Sequence, residues 1–117
     1  MPSERPQQRL MDIIEQSDRV FEYVKGHHFE SYEQDHKTCD AVERCLARIS
    51  EAASKLGDYL DQIYPDARWR DVRAIGNILR HRYDEIVHRI IWDSVKNKLP
   101  DLRASAAVEL ERLATLP

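Results

Sequence analysis

From Val42 onward, apolar residues return in steps of four and three: Val42, Leu46, Ile49, Ala53, Leu56, Leu60 and Ile63. On an α-helix that spacing forms one stripe, whereas on a strand it would scatter over both faces. It predicts one long helix over 38–63, with a heptad-like seam for antiparallel packing in a bundle. Leu10, Ile13, Ile14, Ser17, Val20, Phe21 and Val24 form a second stripe and predict a helix over 7–25, stopped by Gly26. Gly57 marks a bend in the long helix, Tyr64-Pro65 ends it, and Asp66 offers a cap for the next. A third helical segment starts near Ala67, buries Val72, Ile75, Leu79 and Ile86, and continues through Val87, Ile90, Ile91, Trp92 and Val95. Asp84 can cap a new start if this segment breaks near Tyr83. Pro100 opens a last helix over 100–113. Between the first two helices, 27–35 is polar and aromatic, with room for one short helical turn and with His27 and His28 as exposed loop.

Strand-like alternation is absent. With 3 glycines and 5 prolines in 117 residues, the chain has few turns and suits long helices. The expected fold is all-α, an antiparallel bundle of four to five helices. It forms a single domain over 1–117, with 1–6 as a flexible arm. No apolar run approaches membrane-spanning length, and MPSERPQQ has no apolar signal core. The expected location is the cytoplasm, away from membranes. Cys39 and Cys45 lie six apart on one helix and point in separate directions, so they fit neither a disulfide nor a zinc site. They read as core or interface residues, as do Trp69 and Trp92.

The formal net charge of −3 excludes a generally basic nucleic-acid binder. Its distribution is uneven. Between Arg68 and Arg82 stand five arginines and one acid, Asp71, so this stretch carries +4 and the remainder −7. A basic patch on an acidic body can meet phosphate without indiscriminate sticking. The patch lies on a helix reading WRDVRAIGNILRHRY, where Arg73, Asn77, Arg80, His81 and Asp84 gather away from the buried side. Asn77 and His81, four apart, share one surface. Histidine can move a proton near neutral pH, and arginine can hold a phosphate and steady its developing charge. Together they can handle a phosphodiester. The same residues also fit the solvated face of an amphipathic helix.

Two Glu-x-x-His steps, Glu33 to His36 and Glu85 to His88, match half of a di-metal bundle site, which Glu15 and Glu51 could complete. The segment around His36 reads as a helix boundary, poorly placed for a bundle core. No metal or cofactor is expected. There is no Gly-rich phosphate loop and no setting for a nucleophilic serine.

WRDVRAIGNILRHRY, followed by IIWDSVKNKLPDL and preceded by TCDAVERCLARISEAASKL, resembles the HepT-like branch of the HEPN superfamily from about Leu10 to Leu113. The resemblance implies a helical homodimer with a ribonuclease cleft between protomers. It also implies a toxin of a toxin–antitoxin pair, neutralised by a minimal nucleotidyltransferase that adds AMP to a tyrosine. The family motif is Arg, four residues, His, any residue, Tyr. His81 and Tyr83 match its second half, which makes Tyr83 the implied AMP acceptor, and Asn77 matches the asparagine that follows the arginine. Gly76 stands where the arginine belongs. Arg73 and Arg80 lie one turn to either side and could supply the cation. If neither does, the chain keeps the dimer and partner surface as a non-catalytic binding module. The expected enzyme is a metal-independent endoribonuclease with His81, Arg80, Arg73 and Asn77 as its working residues. Its substrate is RNA, with tRNA among the candidates. A dimer follows from the residues too, because one helix offers few convergent groups and a two-fold axis doubles them.

Overall fold

The computed structural model describes residues 5–82, 84 and 87–117. Tyr83, Glu85 and Ile86 lie outside the described residues, and with them the AMP-acceptor assignment, one Glu-x-x-His step and one residue of the third apolar stripe. Residues 1–4 of the expected arm lie outside them too.

The described chain is helical, in the order α1 (Pro6–Val24), α2 (Phe29–Gln34), α3 (His36–Leu56), α4 (Tyr59–Ile63), α5 (Trp69–His81), α6 (His88–Asn97) and α7 (Leu99–Ala114). These form the all-α bundle the periodicity implies. The centre is α3, flanked by α1 and α5; α7 lies against α1, and α6 packs on α7. The core draws on Leu10, Ile13 and Val20 of α1, Val42, Leu46 and Ile49 of α3, and Leu99 and Leu102 of α7. Cys39 and Cys45 are buried and free, and burial pushes both thiols up. No described helix is long and apolar enough to cross a membrane.

The long helix expected over 38–63 is two helices. Gly57 ends α3 at φ 84°, a left-handed backbone that side chains disfavour, so the chain turns there rather than bending. The new phase of α4 leaves Ile63 about half exposed, although the seam spacing predicts it buried. Asp66 does not cap α5. That helix starts after Arg68, itself at φ 70°, because buried Trp69 fixes the start by donating its indole N–H to Ser105 Oγ (2.9 Å). His27 and His28 are more than exposed loop. His27 is half-buried with Nδ1 2.9 Å from Ser31 Oγ, and the His28 N–H donates to the same oxygen at the head of α2. The third helical segment breaks between His81 and His88, and α6 begins afresh.

One buried group stands outside the apolar patterns. Glu109 on α7 is fully buried, yet accepts from Tyr59 (3.1 Å), Tyr64 (3.0 Å) and both Nε and Nη2 of Arg112 (2.7 Å each). The arginine holds its carboxyl below the usual carboxylate range against the opposing effect of burial, and the two hydroxyls add to this. The break at Gly57 thus leads into a short helix, α4, whose first residue, Tyr59, and C-cap, Tyr64, are tied to α7.

Candidate active site on helix α5

α5 is amphipathic and buries Trp69, Val72, Ile75 and Gly76. It leans on α3 through Gly76 and Ser50. A Cβ at position 76 would collide with both side-chain atoms of Ser50, and Ser50 Oγ itself donates to the Arg73 carbonyl (3.2 Å). The glycine is therefore a point of close helix approach. The helix face where a motif arginine would start is closed by α3.

The two candidate cations have different surroundings. Arg73 makes a two-pronged pair with Asp61 of α4, Nη1 to Oδ1 at 2.9 Å and Nη2 to Oδ2 at 2.6 Å, and both side chains are about four-fifths buried. Hydrogen bonding from Arg73 holds the Asp61 carboxyl below its usual range, with burial opposing. Arg80 is exposed. Helical side chains lean toward the N-terminus, and its Nη1 lies 3.1 Å from where a Cβ of residue 76 would stand. Ser50 fills the space at position 76, and one guanidinium nitrogen of Arg80 stands beside it.

Asn77 and His81 are both exposed, four residues apart, and His81 is the last residue of α5. At about 100° per residue, Asn77 falls between Arg80 and His81 around the helix axis. The helix closes with the Arg82 N–H on the Ile78 carbonyl (2.9 Å), and Arg82 leaves helical geometry at φ −138°, ψ 44°. A cation in the last turn complements the negative end of the helix dipole. The end of α5 thus brings together an imidazole, an amide and a guanidinium, all exposed, while Arg73 is drawn back into the fold. Among the described residues no three His, Cys, Asp or Glu side chains cluster as a metal site would need. Glu15 pairs with Arg19 and Glu51 with Lys55.

The profile of the family described as ribonuclease HepT-like matches residues 13–108, from the first turns of α1 nearly to the end of α7. The chain belongs to the HepT-like ribonuclease family. A protein of Methanocaldococcus jannaschii, named provisionally as an RNase, is 33% identical over 101 residues, covering 86% of this chain and 84% of the relative. One of Thermococcus cleftensis, named provisionally as ribonuclease HepT, is 31% identical over 94 residues, covering 80% and 86%. A third, from Caldanaerobacter subterraneus and also named provisionally as an RNase, is 26% identical over 107 residues, covering 92% and 96%. No solved structure matches significantly. This HepT-like chain thus spans most of the length of each of these relatives.

Sequence reasoning identifies the residues at the end of α5 but not Ser50 or Asp61. Ser50 stands three residues before Ala53 in the α3 stripe, on the side turned to Gly76, and a small residue facing a glycine is a signal of close helix contact. Asp61 has no such signal, because the break at Gly57 changes which way it points.

Proposed function

We propose that this HepT-like chain is a metal-independent endoribonuclease, the toxin of a toxin–antitoxin pair. It acts as a homodimer whose two α5 ends form one cleft. His81 takes the proton of a ribose 2′-OH, and the 2′-oxygen attacks the neighbouring phosphorus. The bond from phosphorus to the 5′-oxygen breaks, and His81 of the partner protomer gives its proton to that leaving oxygen. The products are a 2′,3′-cyclic phosphate and a 5′-hydroxyl. Arg80 binds the scissile phosphate and stabilises the charge that builds on it; Asn77 orients His81 or meets the RNA. Arg73 positions α5 through Asp61. The observation that supports this reading is the exposed Arg80, whose Nη1 comes within 3.1 Å of where a Cβ at position 76 would stand, a cation next to the position of the motif's missing arginine. The minimal nucleotidyltransferase antitoxin would silence the site by adding AMP to Tyr83.

The test is cleavage of tRNA and mixed RNA by purified protein in EDTA, beside His81→Ala and Arg80→Ala. Cleavage should vanish in the first and fall about a hundredfold in the second, as for loss of one transition-state donor. The cyclic phosphate is read by mass spectrometry. Full activity in His81→Ala would refute the mechanism. A second reading, the non-catalytic partner-binding module, is favoured by the closed face at Gly76, which admits no motif arginine. It prevails if wild-type protein cuts neither RNA.

A further inference from the structure

α6 has two unlike flanks. At about 100° per residue, Arg89, Trp92 and Lys96 fall within about 60° of one another around its axis. That flank faces α2: the Trp92 ring packs edge-on against Phe29 (6.4 Å between centroids) and tilted against Tyr32 (5.1 Å). Arg89 lays its guanidinium over the Phe29 ring, Cζ 3.6 Å from the centroid, and Lys96 Nζ stands 5.1 Å from the Trp92 centroid. Phe29 and Trp92 are half-buried; Arg89 and Lys96 are exposed. Val87 and Ile90, both half exposed, lie on the other flank.

Three arginine heads elsewhere are tied to carboxylates, Arg73 to Asp61, Arg103 to Asp18 and Arg112 to Glu109. No ion pair joins Arg89 or Lys96 to a carboxylate among the described residues. Asp93, three residues before Lys96, instead accepts the Asn97 amide (2.6 Å). A guanidinium stacked on a ring keeps its outer face and its edge donors open. A planar base can stack on that face, and a phosphate can take the donors or the ammonium of Lys96. Aromatic faces interleaved with uncompensated cations are the chemistry of single-strand nucleic-acid binding. A lipid surface would ask for the apolar flank instead, and an acidic peptide would make no use of the rings. Arg89 follows His81 by eight residues, so the two lie within about 28 Å even along a fully extended chain. A strand held at α6 can pass His81.

We propose that the α2-facing flank of α6, with Arg89 on Phe29 and Lys96 beside Trp92, is a second contact for single-stranded RNA, gripping the strand outside the cleavage site. The inference rests on RNA being the substrate. Its test uses the full chain carrying His81→Ala, so that RNA is not consumed. The probe is a fluorescein-labelled single strand of about 16 nucleotides, followed by anisotropy across a salt series. Arg89→Ala/Lys96→Ala should weaken binding about tenfold and flatten the salt slope by about 1.4, at roughly 0.7 for each phosphate no longer neutralised. Lys37→Ala/Arg44→Ala removes the same charge from exposed positions on α3 and should change affinity less than about twofold. RNA should also quench Trp92, read as the protein's accessible tryptophan fluorescence because Trp69 is buried. Equal weakening by both double variants, or unchanged binding by the first, would overturn the proposal. Binding that depends on the flank in a protein that cuts no RNA would remove the nuclease reading and leave the flank standing. Cutting by wild type, with binding that ignores the flank, would do the reverse.

Discussion

Gly76 is where a single hydrogen decides the packing of the site. With Ser50 filling the opposite side, adding one methyl forces either α3 or α5 to move. Gly76→Ala should therefore destabilise the fold by about 1–3 kcal/mol, the usual cost of overpacking, measured by urea unfolding. Ser50→Gly in the same chain should recover most of that loss, because it removes both colliding atoms. A Gly76→Ala protein as stable as wild type would show that the helices do not meet there. The arginines separate by the same logic. Asp61→Asn leaves Arg73 with a weaker partner and should cost about 1–3 kcal/mol with little direct effect on phosphate contact. Arg80→Ala should leave the melting temperature almost unchanged and act on cleavage. A variant pair in which both changes fell on stability alone would remove Arg80 from the site.

At the scale of elements, the proposed dimer makes a prediction for the start of α6. Val87 and Ile90 are each half exposed, on the flank away from the aromatic contacts, and in the proposed dimer the second copy would cover them. Ile90→Glu should shift the protein from dimer to monomer in light scattering at micromolar concentration, with RNA cleavage lost alongside. A dimer that survives the glutamate would place the interface elsewhere. The stripes of α1 and α3 are readable from the chain because their spacing is long and regular; Leu10, Ile13, Val42 and Leu46 lie where the period puts them. His81, Asn77 and Arg80 are readable because polar residues collect opposite Val72 and Ile75. What spacing cannot reveal depends on single backbone dihedrals and distant partners. Gly57 at a left-handed φ turns a bend into an end, Trp69 moves the start of α5 past Asp66, and only the folded chain shows that Asp61 claims Arg73 and leaves Arg80 exposed.

For the whole molecule, Asp61 and Glu109 contribute to the response to acid, beside Asp35, whose carboxylate is held low by hydrogen bonds from Thr38. Asp61 and Glu109 both sit below their ordinary values in the folded state, the first through Arg73 and the second through Arg112. Their stabilising contributions are complete above the unfolded carboxylate range, about 4, and are lost as pH falls through the folded values. Melting temperature should hold from neutral pH to about 5 and drop below about 4. Glu109→Gln should lower the neutral-pH value and flatten that acid drop, and an unchanged acid profile would show that Glu109 carries no linked proton. The same glutamate has a consequence for the order in which a new chain is completed. Its partners Tyr59 and Tyr64 stand 50 and 45 residues upstream, Trp69 waits for Ser105, and Asp18 for Arg103 across 85 residues. A ribosome releases α5, with its imidazole and guanidinium, well before the helix that fixes α4 and α5 in place. A chain ending at Lys98 should lack a cooperative melt. On the proposed nuclease reading, nascent protein would then have nothing to cut with until α7 has docked, and the RNA beside it would be spared during synthesis.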